Sequence, residues 1–373
     1  MDDPPIRRVE ARCYRYPLAT PVVTSFGRML DRPMVLVRIE DEAGTIGWGE
    51  AWCNFPSVGA EHRARLVGEI LAPMLVGVAL GPPGAALRRL TEATAVLALQ
   101  AGEPGPIAQA IAALDIAHWD LAARRAGTPL WRLLGGGDPT IRVYASGINP
   151  SGARETAARA RAQGHRAFKL KVGFAPEQDL ANLAGLREEI GDLMLAADAN
   201  QAWSVETAAR RIADFAPFGL AWLEEPVRAD TPWACWRPLL VAGGPPLAGG
   251  ENLAGEAAFE AAVAAGILGV IQPDIAKWGG LSLCARVART ARAAGRRVCP
   301  HYLGGGIGLL ASAHLLAGLG GDGLLEIDVN DNGLRDLCCG PVRSVADGTV
   351  TLGEAPGLGL DPDLGALDAW RTL

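Results

Sequence analysis

"FKLKVG" (residues 168–173) sets Lys169 and Lys171 one residue apart inside an apolar run. Residues i and i+2 of a strand share a face, and a strand of this composition seldom buries a lysine. The pair therefore points to a polar site built into an otherwise apolar architecture. From about residue 140 onward the same kind of run recurs: "IRVYAS", "AFKLKV", "LMLAAD", "LAWLEE", "PLAGG", "LGVIQPD", "RRVCPH" and "GLLEID". Ala/Leu/Arg/Glu-rich helical stretches separate them. Eight such βα-type units make a parallel barrel the economical fold. From the second run on, each ends in an ionisable group: Lys171, Asp198, Glu224, Glu251, Asp274, His301 and Glu326, spaced 23 to 27 residues apart. In a barrel these ends converge on one mouth, where barrel enzymes keep their active sites.

The chain before residue 138 reads differently. "MVLVRIEDEAGTIGWGEAW" (34–52) alternates and breaks at Asp41–Gly44, which predicts a β-hairpin. "GAEHRARLVGEILAPMLVG" and "PIAQAIAALDIAHWDLAARRAG" have helical period. We expect an α+β domain over 1–137, a barrel over 138–340, and a Gly/Pro-rich return of 341–373 toward the first domain.

Composition narrows the function. The 373 residues carry a net charge of -6, with the 35 basic residues scattered, so nucleic acid is not an expected partner. No apolar stretch reaches the ~18 residues of a membrane span. The seven cysteines have no metal-ligand spacing and read as thiols of a reducing compartment, and the acidic start "MDDPPIRR" lacks an apolar segment behind it. A cytoplasmic protein is expected.

Asp198, Glu224 and Glu251 would repel one another at consecutive strand ends unless a cation lay between them. All-oxygen ligation favours one Mg²⁺ ion; three separate salt bridges at the rim are the alternative. Lys169 and Lys171 face one site, where mutual repulsion lowers their pKa values and prepares Lys171 as a base. Lys169 is placed to hold a substrate carboxylate. Asp274 can fix the tautomer of His301. Glu326, if kept protonated, can donate to a developing oxyanion, against a rim salt bridge as the plain alternative. Together these groups suit removal of the proton α to a carboxylate, with the enediolate charge stabilised by Mg²⁺, Lys169 and Glu326.

"KLKVG", "DANQAW", "WLEEP", "GGENL", "PDIAKWGG", "PHYLGGG" and "LEID" resemble the enolase superfamily, and within it the mandelate racemase subgroup. The likeness covers nearly the whole chain. It implies a modified TIM barrel, (β/α)7β, with an α+β N-terminal capping domain completed by the C-terminal segment. It implies Mg²⁺ on Asp198, Glu224 and Glu251, Lys171 as one base, and His301 with Asp274 as the other. It also implies a small-molecule carboxylate substrate and a homo-oligomer.

Two bases flanking one α carbon serve racemisation or dehydration equally, and cap loops decide between substrates. Thr24, Ser25, Arg28 and Met29 in one loop and Cys53, Asn54 and Phe55 in another are candidates, with Asn200, Trp278 and Tyr302 on the barrel side. Ser25, Arg28 and Asn54 offer hydrogen bonds to hydroxyls, which leans toward dehydration of a sugar acid to a 2-keto-3-deoxy acid. A 2-hydroxy-acid racemase or epimerase is the alternative, and a non-catalytic metal- and ligand-binding barrel the third reading. "LGGGIG" (303–308) lacks the trailing Lys-Ser/Thr of a phosphate loop and is not read as a nucleotide site.

Overall fold

The structure is a computed structural model that describes residues 3–24, 27–240 and 243–373. Strands β1 (Ile6–Thr24), β2 (Gly27–Asp41) and β3 (Ile46–Ala51) form an antiparallel sheet in that order. The β2–β3 turn closes where the sequence predicts it, with Gly44 N donating to Asp41 O at 3.0 Å. Helix Pro104–Arg125 lies directly on β3, and "GWGE" explains how: a Cβ at Gly47 or Gly49 would strike the carbonyl oxygens of Ala117 and Ala113. That close approach packs the apolar faces of sheet and helix together and leaves Glu50, also on β3, reaching toward the barrel.

All eight predicted runs form strands: β4 (Thr140–Ile148), β5 (Ala167–Lys171), β6 (Met194–Asp198), β7 (Leu223–Glu224), β8 (Leu247–Gly249), β9 (Leu268–Ile271), β10 (Arg297–Val298) and β11 (Leu324–Asp328). They pair in parallel in the order β10-β9-β8-β7-β6-β5-β4-β11, a nearly closed barrel in which seven βα units precede a last strand. Side chains fill it in layers. The floor is Tyr144, Ala167, Ala196, Trp222, Ala248, Val270, Cys299 and Leu324, with Tyr144 and Trp222 edge to face at 5.3 Å. Small residues opposite the two large aromatics let the floor close. The outer helices bury a second apolar cluster against the strands, from Phe168 and Leu170 to Ile271 and Val298.

After the barrel, β12 (Thr349–Thr351) pairs antiparallel with β4, so residues 341–373 touch the barrel before they reach the cap. The chain then returns: Leu130 N donates to Gly357 O at 2.8 Å, Trp48 Nε1 to Asp361 Oδ1 at 2.9 Å, and Thr372 N to Cys13 O at 2.8 Å. One apolar cluster runs from Met34 and Leu36 of the cap through Tyr302 and Leu310 to Leu358 and Leu367, so cap, barrel and return share a core. Among the described residues no helix is long and apolar enough to cross a membrane.

Candidate active site

The pairing register carries the site. Lys171 sits opposite Asp198, and Asp198 opposite Glu224, at the C-terminal ends of β5, β6 and β7. Glu251 follows β8, Asp274 follows β9 and His301 follows β10 within three residues, so all face the same mouth. The turns behind β6 and β7 are tight: Asn200, Gln201 and Glu225 hold φ of 44°, 64° and 37°, conformations that cost non-glycine residues energy and cluster at functional sites. Asn200 caps its own strand end, its backbone N–H donating to Asp198 Oδ1 at 2.8 Å.

Above the aromatic floor lies a buried ion cluster. Lys169 is fully buried; its Nζ donates to both oxygens of Glu224 at 2.9 and 2.8 Å, pairs with Glu326 at 2.7 Å, and lies 5.4 Å from the Tyr144 ring centroid. Lys171 Nζ donates to Asp198 Oδ2 at 2.6 Å. Burial pushes both ammonium groups down, but the carboxylates around them prevail: Asp198 holds Lys171 up, and Glu224 and Glu326 hold Lys169 well up. The lowering expected from lysine–lysine repulsion is therefore outweighed here, because each ammonium is hydrogen-bonded directly to a carboxylate. Lys169, expected to hold a substrate carboxylate, does not line the cavity and anchors the acidic side chains from below.

Glu326 also departs from expectation. It accepts from Ser146 Oγ and, at 3.2 Å, from Tyr302 N. Burial raises its pKa, but Lys169 and His301 pull it well below the ordinary range, so it is an ionised acceptor rather than a protonated donor. Glu224 moves up, to about 7, through burial and the Asp198 charge, with Gln272 Nε2 donating to it at 2.6 Å. Glu225 is buried, accepts from Asn252 Nδ2 at 3.0 and 2.8 Å, and is pushed well up by burial and by Glu251.

His301 bridges two carboxylates: Nδ1 lies 2.7 Å from Asp274 Oδ2 and Nε2 lies 2.9 Å from Glu251 Oε2. Both ring nitrogens face acceptors, an arrangement that the doubly protonated imidazolium satisfies. Glu251 also meets Lys277 Nζ at 3.4 Å. Among the described residues no three His, Cys, Asp or Glu side chains close around one point as a finished metal site; the candidate carboxylates turn instead to Lys169, Lys171, Lys277 and His301.

Over this cluster opens a cavity of about 260 Å³ between cap and barrel. That lies near the lower end of the ~300–1,000 Å³ of typical ligand pockets, a fit for a small acid rather than a dinucleotide. Lys171, His301, Glu251 and Glu326 line it, and so do the predicted Asn54, Phe55 and Asn200. Tyr302 does not: its hydroxyl donates to Glu50 Oε1 at 2.5 Å, away from the cavity. Arg28 is exposed outside it; Met29 and Cys53 are buried behind it; Trp278 stacks on Phe259 at 5.4 Å. Ser25 and the side chain of Thr24 lie outside what the structure describes. The wall also holds residues the sequence reading passed over: Arg32, Trp52, Ser146, Lys277 and Asp328. Asp328 had a signal, since it stands two residues after Glu326 and shares its face.

An α+β cap over a (β/α)7β barrel, with lysine, carboxylate and imidazole groups at successive strand ends, defines the architecture of the enolase superfamily. Residues 6–135 match the mandelate racemase / muconate lactonizing enzyme N-terminal domain, and residues 152–366 match the enolase C-terminal domain-like family. The chain belongs to the mandelate racemase/muconate lactonizing enzyme family of that superfamily. It is 35% identical to 3,6-anhydro-alpha-L-galactonate cycloisomerase of Streptomyces coelicolor, over 95% of this chain and 96% of the relative. A solved mandelate racemase/muconate lactonizing enzyme from Bordetella bronchiseptica RB50 is 54% identical, with a TM-score of 0.93 and 99% of each chain covered. A racemase from Streptomyces coelicolor A3(2), solved with bound magnesium, is 32% identical with a TM-score of 0.87, covering 98% of this chain and 100% of that one.

Proposed function

We propose that this protein removes the proton α to the carboxylate of a polyhydroxy acid and expels the oxygen at the β carbon, giving a 2-keto-3-deoxy acid. The observation that carries this is the presence of Lys171 and His301 together on the wall of one small cavity, at the ends of the well-separated strands β5 and β10. Lys171 takes the α-proton once its ammonium has given up a proton. His301, fixed by Asp274, donates a proton to the departing oxygen. The leaving oxygen is a hydroxyl in a dehydration and a ring oxygen in a cycloisomerisation. The name of the Streptomyces coelicolor cycloisomerase favours the ring oxygen for a substrate of this chain.

The donor set fits a hard divalent cation by its chemistry: three carboxylates, all oxygen, from the ends of the consecutive strands β6, β7 and β8. Asp198, Glu224 and Glu251 would hold magnesium, the ion bound in the Streptomyces coelicolor racemase structure. Bound there, it supplies positive charge for the substrate's carboxylate oxygens and neutralises the carboxylates that hold Lys171 protonated. Glu326 and Lys169 set the charge beneath, and Asn54 and Phe55 exclude water from above.

A second reading, racemisation, draws support from the same pair of bases and from that relative's description as a racemase. The test is a panel of aldonates, anhydro-aldonates and aldarolactones with Mg²⁺, read for keto acid and, by NMR in D₂O, for α-proton exchange. Keto acid that vanishes with chelator and returns with Mg²⁺ supports the proposal. Exchange or epimerisation without keto acid replaces it with the racemase reading.

A further inference from the structure

Where the cap meets the barrel, one wall of the cavity carries a buried ion pair that the proton chemistry does not use. Arg32, on β2, is 2% exposed, and its Nη2 donates to Asp328 Oδ2, at the end of β11, at 2.5 Å. Both residues line the cavity, with Ser146, Asn149 and Asn330 beside them. Asp328 is held from its other side, where Oδ1 accepts from Asn330 N at 3.1 Å and Asn330 Nδ2 at 2.7 Å. Asn330 Nδ2 donates in turn to Gly147 O at 2.9 Å. Gly147 has φ +73°, and a Cβ there would collide with Asp328 Oδ1 and Asn330 Nδ2, so the backbone of β4 makes room for the pair. Arg32 keeps donor capacity: its buried Nε meets no acceptor among the described residues, and its Nη1 lies 3.9 Å from the Met29 sulfur.

Position separates this pair from the carboxylates. In the barrel order β11 stands four strands from β7, which carries Glu224. A small acid whose carboxylate lies over β6–β8 would extend its far end toward β4, β11 and the cap.

We propose that Arg32 and Asp328 form the specificity subsite for the substrate's distal end, and that this subsite takes a neutral, hydroxylated terminus rather than a second carboxylate. The inference rests on the acid-sugar reading and names the class of acid: monocarboxylic. The reason is electrostatic. The pair is neutral as a unit, so a hydroxyl finds an acceptor in Asp328 and a donor in Arg32 without leaving any charge unmatched. A second carboxylate would meet an arginine whose charge Asp328 already matches, face Asp328 and Glu326, and lose its water with no free positive charge in return. Sites that hydrogen-bond a hydroxyl reject its analogues strongly, since the buried polar groups are then left without partners.

The test uses the full-length, Mg²⁺-loaded protein and pairs of six-carbon acids identical except at C6: D-gluconate with D-glucarate, and D-galactonate with D-galactarate. Calorimetric Kd values are read for wild type and for Asp328→Asn, which removes the negative charge and leaves Arg32 uncompensated. Wild type is expected to bind the preferred monoacid roughly tenfold or more tighter than its diacid, and Asp328→Asn to erase or invert that ratio. Equal or tighter binding of the diacid by wild type overturns the proposal, as does binding of no member of either pair, or an Asp328→Asn variant with the ratio unchanged. If the variant does not fold, the wild-type ratio alone decides. Binding is measured apart from turnover, so a failure to form keto acid would remove the acid-sugar chemistry while leaving the distal preference readable.

Discussion

Asp274 Oδ2 lies 2.7 Å from His301 Nδ1, while Asp274 Oδ1 accepts from the backbone N–H groups of Ala276 at 2.8 Å and Lys277 at 3.1 Å. The carboxylate is thus clamped by the turn that follows β9, and the imidazole ring is clamped by the carboxylate. Asp274→Asn keeps the shape but removes the charge that fixes the ring's protonation. Turnover should fall by roughly 10²–10⁴-fold, the usual worth of a positioned acid or base. KM should change little, because the carboxylate side of the site is untouched. Steady-state kinetics check this; a fall confined to KM would assign Asp274 to binding instead.

The two sides of the α carbon can be separated. His301→Asn should abolish keto-acid formation yet leave α-proton exchange into D₂O for an acid whose proton faces Lys171. Lys171→Ala should abolish both for that acid. NMR of the recovered acid reads the exchange, and loss of exchange in both variants for every acid tried would mean that the two residues do not divide the work.

Lys169 is the hub of the buried cluster, so its loss should act on folding before it acts on catalysis. Lys169→Met conserves the stem but strands Glu224 and Glu326 without their counter-charge. Removing one partner from a buried ion pair costs about 3–5 kcal/mol. Denaturant titration of the variant should show its midpoint moved down accordingly, and a stability equal to wild type would mean the carboxylates find other partners.

Glu50 ties the cap to the segment that carries His301. It accepts from Tyr302 Oη and Gly305 N, each at 2.5 Å, and from Gly308 N at 3.0 Å, while burial pushes its carboxyl up against the pull of those bonds. Tyr302→Phe removes one donor and should lower stability by about 1–3 kcal/mol. Because Tyr302 adjoins His301, activity should fall with it, and the fall should appear in kcat.

Much of this site could be read from the chain because barrel strands are short apolar runs and each polar residue closing a run marks a strand end. Even β7 and β10, two residues each, were found that way. The lysine pair was legible as a pair but not in its division of labour. Strand alternation says that Lys169 and Lys171 share a face; it does not say that one lies a layer deeper, on Tyr144, where carboxylates enclose it. Tyr302 was misassigned because its partner Glu50 is 252 positions away, on the cap. Arg32 and Asp328 are 296 apart, and no local pattern encodes a contact between two elements so distant, although Asp328 alone could have been flagged by its spacing from Glu326.

His314 provides a pH test away from the proposed chemistry. It is buried in the helix Gly306–Leu319, where its Nδ1 accepts from Trp131 N at 3.0 Å and its Nε2 lies 3.2 Å from Leu358 O. That arrangement needs the neutral ring with the proton on Nε2, and burial pushes the pKa down to about 4 from an ordinary 6.5. A histidine depressed in the folded state binds fewer protons folded than unfolded between those values. Its contribution is therefore complete above pH 6.5 and is lost as pH falls toward 4. The drop amounts to about 3 kcal/mol, from 1.36 kcal/mol per pKa unit. His314→Gln can offer a similar acceptor and donor without titrating. The unfolding free energy of wild type minus that of the variant should decline by about that amount between pH 7 and pH 4, while contributions of the other acids and histidines cancel. Parallel stability curves across this range would show that His314 is protonated equally in the folded and unfolded chain.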